Sequence, residues 1–231
     1  MSLLPLLRLQ QFADSAFPIG GAAHSFGIEA LVEAGFLNTG GLAQFLEDYL
    51  EETGTLEAAY CAASCSLASG HGGRAESIGQ WLAWNAELGA RKVARESRDG
   101  SAALGRRFLR LAANISGDAL LAEAAETATL TGAEVHLAAC FGLVAGILAV
   151  DPSVAAAAFL QQSMTALVSA CQRLLPLGQT QAHQILWDLK PAIIAAAERS
   201  AIQPSLCTSF TPLADLAAAR HATLYTRLFM S

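Results

Sequence analysis

Leu137-Ala-Ala-Cys-Phe-Gly-Leu-Val-Ala-Gly-Ile-Leu-Ala-Val150 is an uncharged apolar run of fourteen residues, closed by Asp151-Pro152. A membrane-spanning helix needs roughly 20 such residues, so the run reads as a helix buried in a protein core. Ala138, Gly142 and Gly146 recur every four residues within it. On a helix that spacing leaves one face nearly bare, and bare faces let a neighbouring backbone come very close. The neighbour lies either within the monomer or across a dimer axis. The stretch predicts a central helix pressed on by others. No segment shows strand alternation with β-branched enrichment, and no repeat of about 20–50 residues is present. The fold class is all-α, one domain over residues 1–231 with eight to ten helices.

Working outward, Leu120 to Val150 is helical by composition, with Gly132 a candidate boundary, and Val154–Cys171 forms the next helix beyond Asp151-Pro152-Ser153. Leu3–Ala13 is a short first helix. Leu42, Phe45, Leu46, Tyr49 and Leu50 form an amphipathic stripe, with the acidic Glu47, Asp48, Glu51, Glu52 and Glu57 on the opposite face. Thr55–Ser69 is another helix, closed by the loop Gly70-His71-Gly72-Gly73. Trp81 and Trp84 mark a helix over Glu76–Leu88. An arginine-rich helix follows, broken or only dented at Asp99-Gly100-Ser101, and Asn114–Asp118 interrupts the chain around Gly117.

The chain is 53% hydrophobic and only 15% charged. Such a balance predicts that some apolar surface belongs to a subunit interface, since monomers rarely expose large apolar patches. A net charge of −6 argues against a nucleic-acid protein. Arg91, Lys92, Arg95, Arg98, Arg106, Arg107 and Arg110 are nonetheless half of the 14 basic residues. They form either a solvated helix face or a surface that steers a protein partner. The N-terminus has neither the basic lead nor the cleavage site of a signal peptide. The five cysteines are then reduced thiols of a cytoplasmic protein, with no membrane segment.

Catalytic motifs are missing: no phosphate-binding GxxxxGK[ST], no GxGxxG after a strand, no Gly-x-Ser-x-Gly. Cys61 and Cys65 share a helix face, but structural metal sites generally use four ligands, so the pair reads as small buried hydrophobes. The five histidines are scattered singly. His136 fits a core position, and His24 is the one placed for function. No catalytic residue and no metal ligand set is assigned, and the protein is expected to be non-enzymatic.

Three segments carry recognition chemistry instead. Ser15-Ala-Phe-Pro-Ile-Gly-Gly21 is followed by His24-Ser-Phe-Gly-Ile-Glu29. Pro18 extends the chain before it, Gly20-Gly21 opens a gap in the surface, and His24, Ser25 and Glu29 sit at or just inside a new helix. Arg173-Leu-Leu-Pro-Leu-Gly-Gln179 places Pro176 and Gly178 in a turn, and Gln179 opens the following helix with Gln181, His183 and Gln184. At the C-terminus Thr211 is an N-cap before Pro212. One helical stripe then runs through Leu213, Ala217, Arg220/His221, Leu224/Tyr225 and Leu228/Phe229. Aromatic and arginine anchors at helical spacing, continuing to the chain end, suit a helix that docks into a partner's groove.

These segments, with Ala219-Arg-His-x-x-x-Tyr-x-Arg-Leu-Phe-x-Ser231 at the end, resemble the UreF family of urease accessory proteins over nearly the whole chain. Glu96-Ser-Arg-Asp and Gly105-Arg-Arg-Phe-Leu are compatible with the family's arginine-rich middle. Arg173 stands where members often carry lysine, and His71-Gly-Gly and Pro191 have no counterpart in the pattern. The resemblance implies a helical, usually homodimeric scaffold. It would join the accessory protein UreD (UreH in some bacteria) and the GTPase UreG, and so deliver nickel to apo-urease. GTP and magnesium would belong to UreG, and this chain would hold no cofactor, nickel at most passing through. The implied partner-binding residues are Pro18, Gly20, Gly21, His24, Ser25, Glu29, Arg173, Pro176, Gly178, Gln179, Arg220, His221, Tyr225, Arg227, Leu228 and Phe229. The tail from 211 to 231 is expected to dock UreD, and Glu29 to lie on a surface facing UreG. The alternatives are a self-contained nickel-binding metallochaperone and an orphan helical enzyme.

Overall fold

The computed structural model describes residues 3–70 and 73–230; His71 and Gly72 of the expected glycine loop, and Ser231 of the terminal motif, lie outside the described residues. Helices follow one another as α1 (Leu3–Ala13), α2 (Ile28–Glu33), α3 (Leu42–Tyr49), α4 (Thr55–Ser69), α5 (Arg74–Arg91) and α6 (Arg95–Ser116). They continue as α7 (Ala119–Thr131), α8 (Leu137–Ile147), α9 (Pro152–Leu174), α10 (Gln179–Asp188), α11 (Lys190–Arg199) and α12 (Pro212–His221). A single π turn, Leu50–Gly54, carries α3 into α4 without leaving helical backbone, and Leu189 in αR does the same between α10 and α11. The twelve segments therefore make ten rods, and no strand occurs among the described residues.

Every residue of α8 from Ala138 to Gly146 is buried. The bare face meets α4. A methyl on Gly142 would stand 2.0 Å from the Cys61 carbonyl oxygen, and one on Gly146 would stand 2.4 Å from that of Cys65. Backbone touches backbone at both points, which only glycine permits. The small-residue stripe is thus filled from within the chain and is not available to a second copy. Around α8 stand α4, α6 and α9, and one apolar cluster extends from Leu9 in α1 to Ala217 in α12. Trp81 Nε1 donates to the Ala139 carbonyl at 3.1 Å, and Asn85 Oδ1 accepts the His136 N–H at 2.7 Å, fastening α5 to the start of α8.

Local rules account for most boundaries. Gly117 at φ +65° closes α6, and Asp118 caps α7 by accepting the Leu120 and Leu121 N–H groups. Gly132 divides the Leu120–Val150 stretch, and Asp151 caps α9 with Pro152 at its first position. Asp99-Gly100-Ser101 runs unbroken inside α6 because Gly100 and Ser101 are buried in it. One helix among the described residues, α9, is long and apolar enough to cross a membrane; here half of its most apolar stretch is packed inside the fold. Glu57 corrects the picture of a solvated acidic face, since it pairs with Lys92 with both side chains mostly buried.

Candidate partner-binding site

Phe17 and Ile19 are buried and Pro18 between them is exposed; the segment is bent instead of extended, with the Ile19 N–H donating to the Phe17 carbonyl at 2.7 Å across Pro18. Gly20 then turns at φ +83° into one 3-10 turn, Gly21–Ala23. The next helix starts beyond His24 and Ser25, not at them. Phe26 (φ +50°) and Gly27 (φ +91°) both take left-handed backbone, and α2 begins only at Ile28. Gly27 is required twice, because a methyl there would also stand 2.9 Å from the Ala218 backbone nitrogen of α12. His24 and Ser25 thus precede the helix and are buried, instead of lining a surface gap. His24 stacks on Phe26 at 5.7 Å, and burial, followed by the Arg107 charge, lowers its pKa.

Glu29 is buried in the first turn of α2. Its Oε2 lies 2.8 Å from His221 Nε2 and 3.2 Å from the Phe229 N–H, and its Oε1 accepts the Leu228 N–H at 2.6 Å. Burial alone would raise this carboxyl. The Leu228 N–H, His221 and the Phe229 N–H outweigh burial and hold the pKa below the usual carboxylate range. His221, itself fully buried, turns its other nitrogen to Glu96 Oε2 at 2.6 Å. Ionised carboxylates only accept, so both bonds are complete when both ring nitrogens carry protons. Glu96 Oε1 lies 3.5 Å from the Arg227 guanidinium.

This geometry corrects the expected terminal helix. α12 stops at His221, and residues 222–230 leave the helix in a series of bends. The reason is the strength of the alternative: the Leu228 and Phe229 N–H groups reach an ionised, buried carboxylate, and charge-assisted bonds of that kind are about twice as strong as neutral ones. Met230 N–H donates to the Ala23 carbonyl at 2.7 Å, closing the tail on the signature loop. Thr211 precedes α12 but its hydroxyl makes no capping bond to the backbone.

Arg173 reaches the same place from α9. Its Nη1 donates to the Ala22 carbonyl at 2.9 Å, and its guanidinium lies 4.4 Å from the centre of the Phe229 ring. Arg107 donates to the Ile19 carbonyl at 3.1 Å. Pro18, Gly20, Gly21, Glu29, Arg173, His221, Leu228 and Phe229 therefore gather around one loop and one tail. Pro176, Gly178 and Gln179 stand exposed at the α9–α10 corner over a buried Leu177, and Gln179 provides no side-chain cap. Arg220 is exposed, and Tyr225 is 99% exposed.

Sequence reasoning missed three contributors. Glu96 and Arg107 lie on α6, far from the three recognition segments in sequence; the arginine-rich stretch was noted there, but nothing in it pointed to the loop and the tail. Gly27 was legible as part of the signature but not as the point where α2 meets α12. Among the described residues, no group of three or more His, Cys, Asp or Glu side chains converges as a metal site would require. Cys61 and Cys65 are buried free thiols on the face of α4 that meets α8.

The UreF family model matches residues 37–190. A urease accessory protein UreF of Paracoccus denitrificans is 35% identical over 227 residues, covering 97% of this chain and 95% of that protein. One from Bradyrhizobium sp. (strain ORS 278) is 36% identical over 234 residues, covering 99% and 93%. Another, from Actinobacillus pleuropneumoniae serotype 3, is 30% identical over 227 residues, covering 96% and 97%. The signature loop and the tail lie outside the family-model match, whereas the alignments to these relatives span nearly the whole chain. The chain belongs to the UreF family of urease accessory proteins.

Proposed function

We propose that this chain is a non-enzymatic urease maturation factor that joins UreD (UreH) and the GTPase UreG for GTP-dependent delivery of nickel to apo-urease. The observation that carries this reading is the treatment of the tail. Its backbone and His221 are tied down by two carboxylates, while the Tyr225 ring, the Arg220 side chain and half of Leu228 face outward. Holding an exposed aromatic on a fixed backbone lowers the ordering entropy that docking must overcome. UreD is the partner assigned to this surface. Nickel is cargo, and GTP and magnesium are bound by UreG.

Glu29 acts in this scheme from beneath the tail. Its carboxylate is spent on intrachain bonds, so its influence on UreG or UreD passes through the position of Leu228 and Phe229. The homodimer is proposed on the scarcity of charge, with its interface on a surface other than the α8 stripe. Co-expression with UreD and UreG tests the reading. The full chain should co-purify with both, and deletion from Tyr225 onward should lose UreD while keeping helical content. Retention of UreD by the truncated chain would overturn it.

A further inference from the structure

A cavity of about 160 Å³, partly open to solvent, lies under α12, bounded also by the π turn Leu50–Gly54, by the end of α5 and the 92–94 linker, and by α9. Single π turns recur at functional sites because they re-aim side chains inside an otherwise regular helix. Phe26, Leu104, Phe159 and Leu167 supply apolar walls. A void of about 150 Å³ with purely apolar walls takes benzene, so one ring-sized body fits.

The polar part of the wall is unbalanced. Lys92 is paired with Glu57, and Asp215 has the Thr211 hydroxyl as its hydrogen-bond partner at 3.4 Å. Two carboxylates thus face one ammonium. Arg91, also in the wall, is turned to Glu87 and to the Ser205 and Cys207 carbonyls. Gln162 Oε1 lines the same space, is buried, and has no hydrogen-bond partner among the described residues. Burial raises the Asp215 carboxyl above its ordinary value, against the opposing Thr211 bond and Lys92 charge. Among the described residues, the buried wall atom without a hydrogen-bond partner, Gln162 Oε1, is an acceptor, and Asp215 has no cation paired to it within salt-bridge distance.

We infer that this cavity binds a small organic ammonium, with the apolar body against Phe159 and Leu167 and the ammonium between Gln162 Oε1 and Asp215. The inference is independent of the partner assignment above, because the cavity is built from one chain. Calorimetric titration of the full chain with benzylamine, benzyl alcohol and benzoate tests it. Benzylamine should bind at least about tenfold more tightly than benzyl alcohol, as a charge facing a partly buried carboxylate requires, and benzoate should not bind. Ala214→Leu, which fills the space from α12, should abolish benzylamine binding. Asp215→Asn should bring benzylamine to the level of the alcohol without weakening the alcohol. Equal binding of benzoate, undiminished binding to Ala214→Leu, or no binding by any probe would overturn the inference, the last leaving a cavity that holds solvent alone.

Discussion

Glu29 and His221 are 192 residues apart in sequence and 2.8 Å apart in space, in a contact that joins the signature helix to the C-terminal tail. The same carboxylate takes the Leu228 and Phe229 N–H groups, so one side chain sets the course of the last nine residues described.

Replacing that carboxylate tests the arrangement. In Glu29→Gln the amide keeps one acceptor and loses the charge that serves three donors. A hydrogen bond to a charged group contributes about 1.5–3 kcal/mol. Amide exchange at Leu228 and Phe229 should accordingly accelerate about tenfold to a hundredfold, while exchange in α8 is unchanged. Equal exchange rates in the variant would remove Glu29 from this role.

The pH dependence has a definite sign. Glu29 has a depressed pKa in the folded chain, so its contribution is fully present above the ordinary carboxylate value and is lost as the pH falls through the folded value. In the wild-type chain the two tail amides should lose protection on acidification, and in Glu29→Gln that acid-dependent component should vanish.

His136 gives a second acid dependence, in the core. It is fully buried, neither ring nitrogen has a hydrogen-bond partner among the described residues, and burial, followed by the charges of Lys92, Arg98 and Arg106, lowers its pKa to about 3. The folded state therefore binds fewer protons than the unfolded state between that value and the ordinary 6.5. Stability is whole above this window and declines as the pH falls through it. One group contributes a slope of at most about 1.4 kcal/mol per pH unit. His136→Leu should flatten the denaturation profile between pH 6 and pH 4 by up to about that amount; an unchanged slope would place the acid sensitivity elsewhere.

The α4–α8 contact predicts opposite effects for two glycine substitutions. Gly142→Ala puts a methyl onto the Cys61 carbonyl and should destabilise by about 2–4 kcal/mol, because neither backbone can yield. Gly79→Ala in α5 meets nothing within 4 Å and should stabilise by up to about 1 kcal/mol. Urea denaturation of both variants checks the pair.

Assembly is read by sedimentation equilibrium. The proposed homodimer has a mass of about 48 kDa, twice the 24.0 kDa of the chain. Gly79→Ala, on an exposed face of α5, should leave it unchanged, and a 24.0 kDa species at micromolar concentration would contradict the dimer.

The central helix, the caps at Asp118 and Asp151 and the division at Gly132 were legible because each rests on local chemistry within a few residues. The tail was misread for the opposite reason. Leu213 to Phe229 has helical spacing, but its last part is placed by Glu29 and Glu96, and no local pattern announces a carboxylate more than a hundred residues away. The signature segments announced their importance without their geometry. Glu29 reads as a surface group in sequence and is buried, since the tail that it holds comes from the other end of the chain, and His24 is buried with its ring stacked on Phe26.

The docking role of the tail is tested most directly at Tyr225. Tyr225 is 99% exposed, so Tyr225→Ala should leave the melting temperature and helical content unchanged. Titrated against purified UreD, the variant should bind about thirtyfold more weakly, the loss of about 2 kcal/mol that an aromatic anchor represents. Wild-type affinity in the Tyr225→Ala protein would contradict the account.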